Sequence, residues 1–210
     1  MAARRAYARR MIRLILAGML VLASLAAHAR ALEGRVIEVT DGDTITVLSN
    51  GTSTHRVRLI GIDAPERFQN HGDMARERLR RLLRGKNVRI EWERMDDYGR
   101  IVGTVYVAEG DVPCARAECL RADAAVVMLR EGHAWLQKPA DPLLTAEQQQ
   151  LYSRAEKQAR AGKSGLWREA SAVPPWEWRS RQKLGVFDAK APNAGSPPSP
   201  PAGRLVAAQR

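Results

Sequence analysis

In the first half of the chain apolar residues recur at every second position over short runs; further on they recur at the three-to-four spacing of a helix. Leu32–Val39 and Thr44–Leu48 have strand character and flank the turn-rich cluster Thr40-Asp41-Gly42-Asp43. Ser49-Asn50-Gly51 reads as a hairpin turn, because Asn-Gly accepts positive φ. His55–Ile60 is the next strand, with Val57 and Leu59 on one side and Arg58 and Ile60 on the other. Asp63-Ala64-Pro65-Glu66 is a loop, since Pro65 pushes Ala64 out of helical geometry. Asp73–Leu83 has the helical period, with arginines opposite Met74, Leu79, Leu82 and Leu83 and Gly85 at the stop position. Lys86–Glu93 is a strand that places Val88, Ile90 and Trp92 on one face. Asp96-Asp97-Tyr98-Gly99 is a turn and Arg100–Val107 the fifth strand. Two helices are expected after that, Leu120–Glu131 and Thr145–Ala161, the second opened by a Thr145/Gln148 capping box. Five short strands with one helix inserted after the third, then two helices, predict an α+β domain built on a small barrel.

Composition narrows the class without naming a function. The chain has 210 residues, 45% apolar and 27% charged, an ordinary globular balance that excludes a fibre, a wholly disordered chain and a multi-span membrane protein. The net charge of +11 invites a nucleic-acid reading until it is located. Residues 1–31 hold six arginines and no acid, and residues 181–210 five basic groups against one acid. Residues 32–180 carry 23 basic and 22 acidic residues. Phosphate binding must therefore come from particular arginines, not from a general basic field.

The two ends read as something other than fold. Residues 1–31 have an arginine-rich start, the apolar run Leu14–Leu25 and small-residue sites at Ala27-His28-Ala29 and Ala29-Arg30-Ala31. That is the form of a signal peptide, which implies export to a periplasmic or extracellular space; an uncleaved membrane anchor is the alternative. Residues 181–210, rich in Pro, Ala, Gly and Ser, are expected to be a disordered tail, leaving 32–180 as the folded domain. Export makes a loop-closing disulfide between Cys114 and Cys119 the natural reading; a redox pair would want the Cys-x-x-Cys spacing.

Three loop clusters carry candidate chemistry: Asp41-Gly42-Asp43-Thr44, the stretch Arg58 to Glu66, and Asp96-Asp97-Tyr98-Gly99-Arg100. Taken singly, each has a bland reading as a turn or a solvated face. Taken together, Asp43 and Asp63 are suited to a hard divalent cation, which prefers oxygen ligands, and Glu66 to holding a water. Arg58 and Arg100 are suited to phosphate, which guanidinium forks bind bidentately. Cation, water-holding acid and two clamps are the parts of a phosphodiester hydrolase. His55 and His133 sit in no cluster and read as structural.

The three segments Asp41-Gly42-Asp43-Thr44, Arg58-Leu59-x-Gly61-Ile62-Asp63-Ala64-Pro65-Glu66 and Asp96-x-Tyr98-Gly99-Arg100 resemble the signature segments of the staphylococcal nuclease (thermonuclease) family, in the same order. The run Ala155–Trp167 resembles the family's last helix and its exit, so the resemblance covers roughly residues 32–168. It implies a five-stranded OB-fold β-barrel with three helices, and a Ca²⁺-dependent endonuclease that cleaves DNA and RNA to leave 3′-phosphate ends; unpaired strands, whose phosphates and bases are accessible, are the expected preference. Carried over, Asp43, Asp63 and the backbone carbonyl of Ala64 would ligate Ca²⁺, with Asp41 a minor or outer ligand. Glu66 would act on the attacking water, Arg58 and Arg100 on the scissile phosphate, and Tyr98 on a neighbouring phosphate. Arg67–His71 replaces the family's lysine-rich loop, and its base-stacking tyrosines are absent; Trp135 or His133 are the candidates to stand in, Trp135 also fitting a core position. Trp176 and Trp178 are expected to pin the chain end, with Arg179 closing the ordered region. A monomer with no obligate protein partner is expected. The rival is a binding module that keeps the barrel without catalysis; the presence of Arg58, Glu66 and Arg100 speaks against it.

Overall fold

Strands β1 (Arg30–Val39), β2 (Thr44–Ser49) and β3 (Ser53–Leu59) form an antiparallel meander in the computed structural model, which describes residues 30–108 and 119–185. The β2–β3 turn uses Asn50 and Gly51 at φ 49° and 73°, as Asn-Gly predicts. Simple alternation along β1 would send Glu38 inward with Val36. A register shift between Val36 and Glu38 turns Val39 inward instead, so both valines are buried and the glutamate is not.

After the two-residue strand β4 (Ile62–Asp63) and helix α1 (Gly72–Leu83), strands β5 (Asn87–Met95) and β6 (Ile101–Ala108) pair antiparallel. β5 lies beside β1, and β6 pairs in parallel with β3 through Val57↔Ile101 and Leu59↔Gly103. That last pairing closes β1, β2, β3, β6 and β5 into a mixed five-stranded barrel with no free edge between them. Ile45, Val47, Val57, Leu59, Val88, Ile90, Val105 and Val107 fill it and are fully buried. Helix α1 lays Ala75, Leu79 and Leu83 on the core and turns its arginines outward.

Two further helices follow as expected, but the first is shorter. Leu120–Asp123 is strand β7, paired with β6 through Tyr106↔Asp123 and Val107↔Ala122, and only Ala124–Arg130 is helix α2. The break falls at Asp123, whose side chain accepts from the Ala125 amide at 2.8 Å and caps the helix. Strand β8 (Trp135–Leu136) pairs with β4, and helix α3 (Ala146–Ala161) starts at the anticipated capping box between Thr145 and Gln148. A 3₁₀ turn at Gly165–Arg168 leads to a fourth helix, α4 (Pro175–Lys183), which begins with proline at its first position.

The α+β barrel expected from the sequence is present with one helix more than expected. Arg179 does not end the order: α4 runs on to Lys183, into the stretch expected to be tail. Strand β1 likewise begins at Arg30, inside the stretch expected to be leader. The remainder of that leader, Cys114 and the tail beyond residue 185 lie outside the described residues; Cys119 is disulfide-bonded. Among the described residues no helix is long and apolar enough to cross a membrane.

Candidate active site

The β1–β2 loop is narrow because Gly42 has no side chain. A Cβ there would come within 2.6 Å of the Ala64 Cβ and 2.8 Å of the Ala75 Cβ. The glycine therefore lets the loop sink between the β4 exit and α1. Asp43 follows, with its amide donating to Asp41 Oδ1 at 3.1 Å and its carbonyl accepting from the Leu59 amide at 2.9 Å. The β2–β3 register sets Thr44 opposite Arg58, which brings the Arg58 guanidinium beside Asp43. Past β3 the chain turns at Gly61, φ 74°, where a Cβ would strike Leu144 and Tyr152, and Asp63 comes up next to the same arginine.

Arg58 Nη1 donates to Asp43 Oδ1 at 2.9 Å, and its Nη2 donates to Asp63 Oδ1 at 3.2 Å. Asp43 Oδ1 also accepts from Thr44 Oγ1 at 2.9 Å and its Oδ2 from the Ala64 amide at 3.2 Å. Both aspartates are 4% exposed. Burial pushes the Asp43 carboxyl up to about 7; Arg58 opposes the rise, and the charges of Asp41 and Asp63 add to it. Burial works against the Arg58 charge too, but Asp43 and Asp63 hold its guanidinium above the ordinary value.

Arg100 arrives from the β5–β6 turn. Its Nε donates to Asp96 Oδ2 at 2.7 Å, its amide to Asp96 Oδ1 at 2.9 Å, and its Nη1 to Thr44 Oγ1 at 3.3 Å. Burial raises the Asp96 carboxyl, but the hydrogen bonds from Arg100 and the charge of that arginine bring it below the ordinary value. Thr44 thus links the second arginine to Asp43, and both arginines face one acid cluster. A cleft of about 360 Å³ opens there, lined by Asp41, Asp43, Arg58, Ala64, Pro65, Glu66, Tyr98, Arg100 and Arg179. Tyr98 is 78% exposed at the rim, with the Arg100 guanidinium 5.4 Å from its ring. Trp135 takes the core position and is not available for stacking: it is buried, edge-on to Trp167 at 5.5 Å. Trp135 is the register partner of Asp63 in the β4–β8 pair, and both are buried.

Arg179 is the cleft side chain that the sequence reading missed. From α4 its Nη1 donates to Glu66 Oε1 at 2.8 Å and to Asp63 Oδ1 at 3.1 Å, and its Nη2 to Asp63 Oδ2 at 2.7 Å. The hydrogen bond to Asp63, against some burial, and that to Glu66 hold its charge firmly. The available signal was Trp178, which is 2% exposed and anchors α4, whereas Trp176 stays on the surface.

Among the described residues no three His, Cys, Asp or Glu side chains are arranged as a metal cage. The donor set nonetheless suits a hard cation. It offers oxygen only, from carboxylates that are buried together: burial raises the Asp43 carboxyl, and the charges of Asp41 and Asp63 add to the rise. Arg58 and Arg179 act as counter-ions to it.

Residues 56–169 match the family model described as "Staphylococcal nuclease homologue". The chain is 38% identical to a micrococcal nuclease of Shigella flexneri, over 82% of this chain and 94% of the relative. It is 37% identical to an uncharacterized endonuclease of Escherichia coli, over 72% of this chain and 87% of the relative, and 32% identical to one of Haemophilus influenzae, over 73% and 77%. A closed barrel with two guanidinium groups facing an acid cluster at one mouth, in a chain with such relatives, is a phosphodiester hydrolase of the nuclease class. The chain belongs to the staphylococcal nuclease family.

Proposed function

We propose that the chain is a Ca²⁺-dependent endonuclease that hydrolyses DNA and RNA to 3′-phosphate and 5′-hydroxyl ends. The observation that supports it most is the convergence of Arg58 and Arg100 on one buried acid cluster through Thr44 and Asp43. Asp43, Asp63 and the Ala64 carbonyl would hold the cation, with Asp41 behind them. When bound, Ca²⁺ would supply a fixed positive charge against a phosphate oxygen.

The chain's own groups do the rest. Glu66, half-exposed at the cleft, accepts a proton from water, whose oxygen forms the new bond to phosphorus. The bond from phosphorus to the 5′-oxygen breaks, and the leaving 5′-oxygen takes a proton from solvent to become the 5′-hydroxyl. Arg58 and Arg100 keep N–H groups beyond those committed to Asp43, Asp63, Asp96 and Thr44, and these meet the charge that builds on the phosphoryl oxygens. Tyr98, exposed on the rim, steadies a neighbouring phosphate. Unpaired strands enter an open cleft most easily, so they are the favoured substrate, and the protein acts as a monomer. The N-terminal leader sends it out of the cytoplasm, a reading supported by the disulfide-bonded Cys119.

The test is digestion of single-stranded DNA, duplex DNA and RNA with chelator, then with Ca²⁺ restored, followed by end-group analysis. Digestion is expected to stop and return, fastest on the unpaired strand, with 3′-phosphate ends. Undiminished cleavage in excess chelator defeats the cation assignment, and 5′-phosphate ends defeat the direction of attack. Mass spectrometry of the exported protein checks the leader: an intact Met1 refutes it.

A further inference from the structure

Glu66 is the first residue of a short loop with little of its own to fix it. The loop is closed by hydrogen bonds from the Gln69 amide to the Glu66 carbonyl and from the Gly72 amide to the Gln69 carbonyl, both 2.9 Å. Its side chains then reach outward to the chain after the 3₁₀ turn. Gln69, buried, accepts from the Glu66 amide through Oε1 and donates to the Val173 carbonyl through Nε2. Asn70 Nδ2 donates to the Glu169 carboxylate at 3.0 Å, and His71 Nε2 lies 3.2 Å from the same group. These contacts dock residues 169–173 against the loop, and buried Pro175 and Trp178 seat α4 beyond them.

The docking delivers Arg179. Two carboxylates facing one cleft repel, and the exposed one, Glu66, would relax toward water and away from buried Asp63. Arg179 removes that freedom. It grips Asp63 with both terminal nitrogens and shares one of them with Glu66, so the second carboxylate is held at a fixed offset from the first. The stretch that matches the family model stops at residue 169, ten positions short of this arginine.

We propose that Arg179 is a positioning residue of the phosphodiester hydrolysis: it holds the Glu66 carboxylate over the cleft against Asp63, and α4 is thereby part of the catalytic apparatus. The inference rests on the reading of Glu66 as the acid that acts on water. It predicts that Arg179 matters through Glu66 and not through the phosphate or the cation.

The experiment is a double-mutant cycle on the full chain with a single-stranded oligonucleotide in Ca²⁺: wild type, Arg179→Gln, Arg179→Lys, Glu66→Gln and the Arg179→Gln/Glu66→Gln pair. Thermal melting confirms folding, and calorimetry follows Ca²⁺ binding. Arg179→Gln is expected to lower kcat by roughly 10–100-fold with KM little changed, the lysine variant recovering part of it. In the Glu66→Gln background the same change is expected to cost less than about two-fold, because no carboxylate remains to be placed. Ca²⁺ binding is expected to hold or tighten, since Asp63 loses a competing cation. Wild-type kcat in Arg179→Gln alongside an impaired Glu66→Gln overturns the proposal. So does an equal loss in both backgrounds, or Ca²⁺ binding weakened by about ten-fold. A wild-type rate in Glu66→Gln is a different failure: it removes the role assigned to Glu66 itself.

Discussion

Asp43 is a carboxylate that folding has taken out of water, and Arg58 is what makes that tolerable. The two arginines of the site therefore differ in what they hold together. Arg58 faces two buried acids, while Arg100 faces Asp96 in a surface turn and reaches Asp43 only through Thr44. Arg58→Gln leaves Asp43 and Asp63 with one partner fewer, at a cost on the order of 3 kcal/mol, and is expected to lower the melting temperature as well as the rate. Arg100→Ala is expected to reduce kcat by roughly 10²–10³-fold, as for the loss of one preorganised donor, with melting close to wild type. Rate and melting data on both variants check the contrast; an Arg100→Ala protein with wild-type turnover contradicts its role. Asp123 carries a third consequence of burial, away from the cleft. Burial raises its carboxyl from 3.8 to about 6, although Tyr152 Oη, at 2.7 Å, and the α2 amides favour its charged form. The folded state then holds this proton more tightly than the unfolded chain. Its contribution to stability is fully present below pH 4 and is lost as pH rises through 6, by on the order of 2–3 kcal/mol. Asp123→Asn is expected to remove that fall, read as the difference between wild-type and variant denaturation curves at pH 4 and pH 7; parallel curves at the two values would show that the group is not strained.

Element by element, what the sequence revealed and what it hid follows from how local the cause was. The hairpin at Asn50-Gly51, the capping box at Thr145 and the stop at Gly85 were legible because each is settled by a few neighbouring residues. Asp43, Arg58, Glu66 and Arg100 were legible as a set because their spacing resembles a known family's segments, while their meeting in one cleft needed the register of β2 on β3. The split of Leu120–Arg130 into β7 and α2 was not legible: Leu120, Ala122 and the α2 residues suit either state, and only pairing with β6 decides. Trp135 could be read either way in the sequence, as a core residue or a stand-in for a stacking residue, and its burial against Trp167 decides for the core. Arg179 stayed hidden because its partners lie more than 110 residues back along the chain. Trp178 is the element-level cause of its placement, so Trp178→Ala is expected to unseat α4. Limited proteolysis should then cut within residues 170–185 faster than in wild type, and kcat should fall as in Arg179→Gln, while the barrel's melting changes little. A variant that resists the protease yet loses activity would mean that α4 is held by other contacts.

At the scale of the molecule, the charge that first suggests a nucleic-acid surface is largely cancelled where the fold lies. On α1, Arg80 and Arg81 pair with Glu77, and Arg78 with Glu131 of the neighbouring helix end. Arg94 is tied to Asp141, and Arg160 to Glu156. The cleft itself commits Arg58, Arg100 and Arg179 to acids, and the proposed mechanism leaves phosphate binding to the first two and Tyr98. Affinity for a strand then draws on about two or three phosphate contacts, and for single strands the logarithm of the binding constant should fall with the logarithm of salt at a slope of about −1.4 to −2.1. The slow Glu66→Gln protein, read before it has cut a fluorescent single-stranded oligonucleotide appreciably, gives that slope by anisotropy across a salt series. A chain that instead used its formal charge as a field would show a slope steeper than about −4. That result would move the strand's path off the cleft and onto the basic ends, and with it the account of how so nearly neutral a domain selects its substrate: by the geometry of two guanidinium groups and an acid cluster, not by bulk attraction.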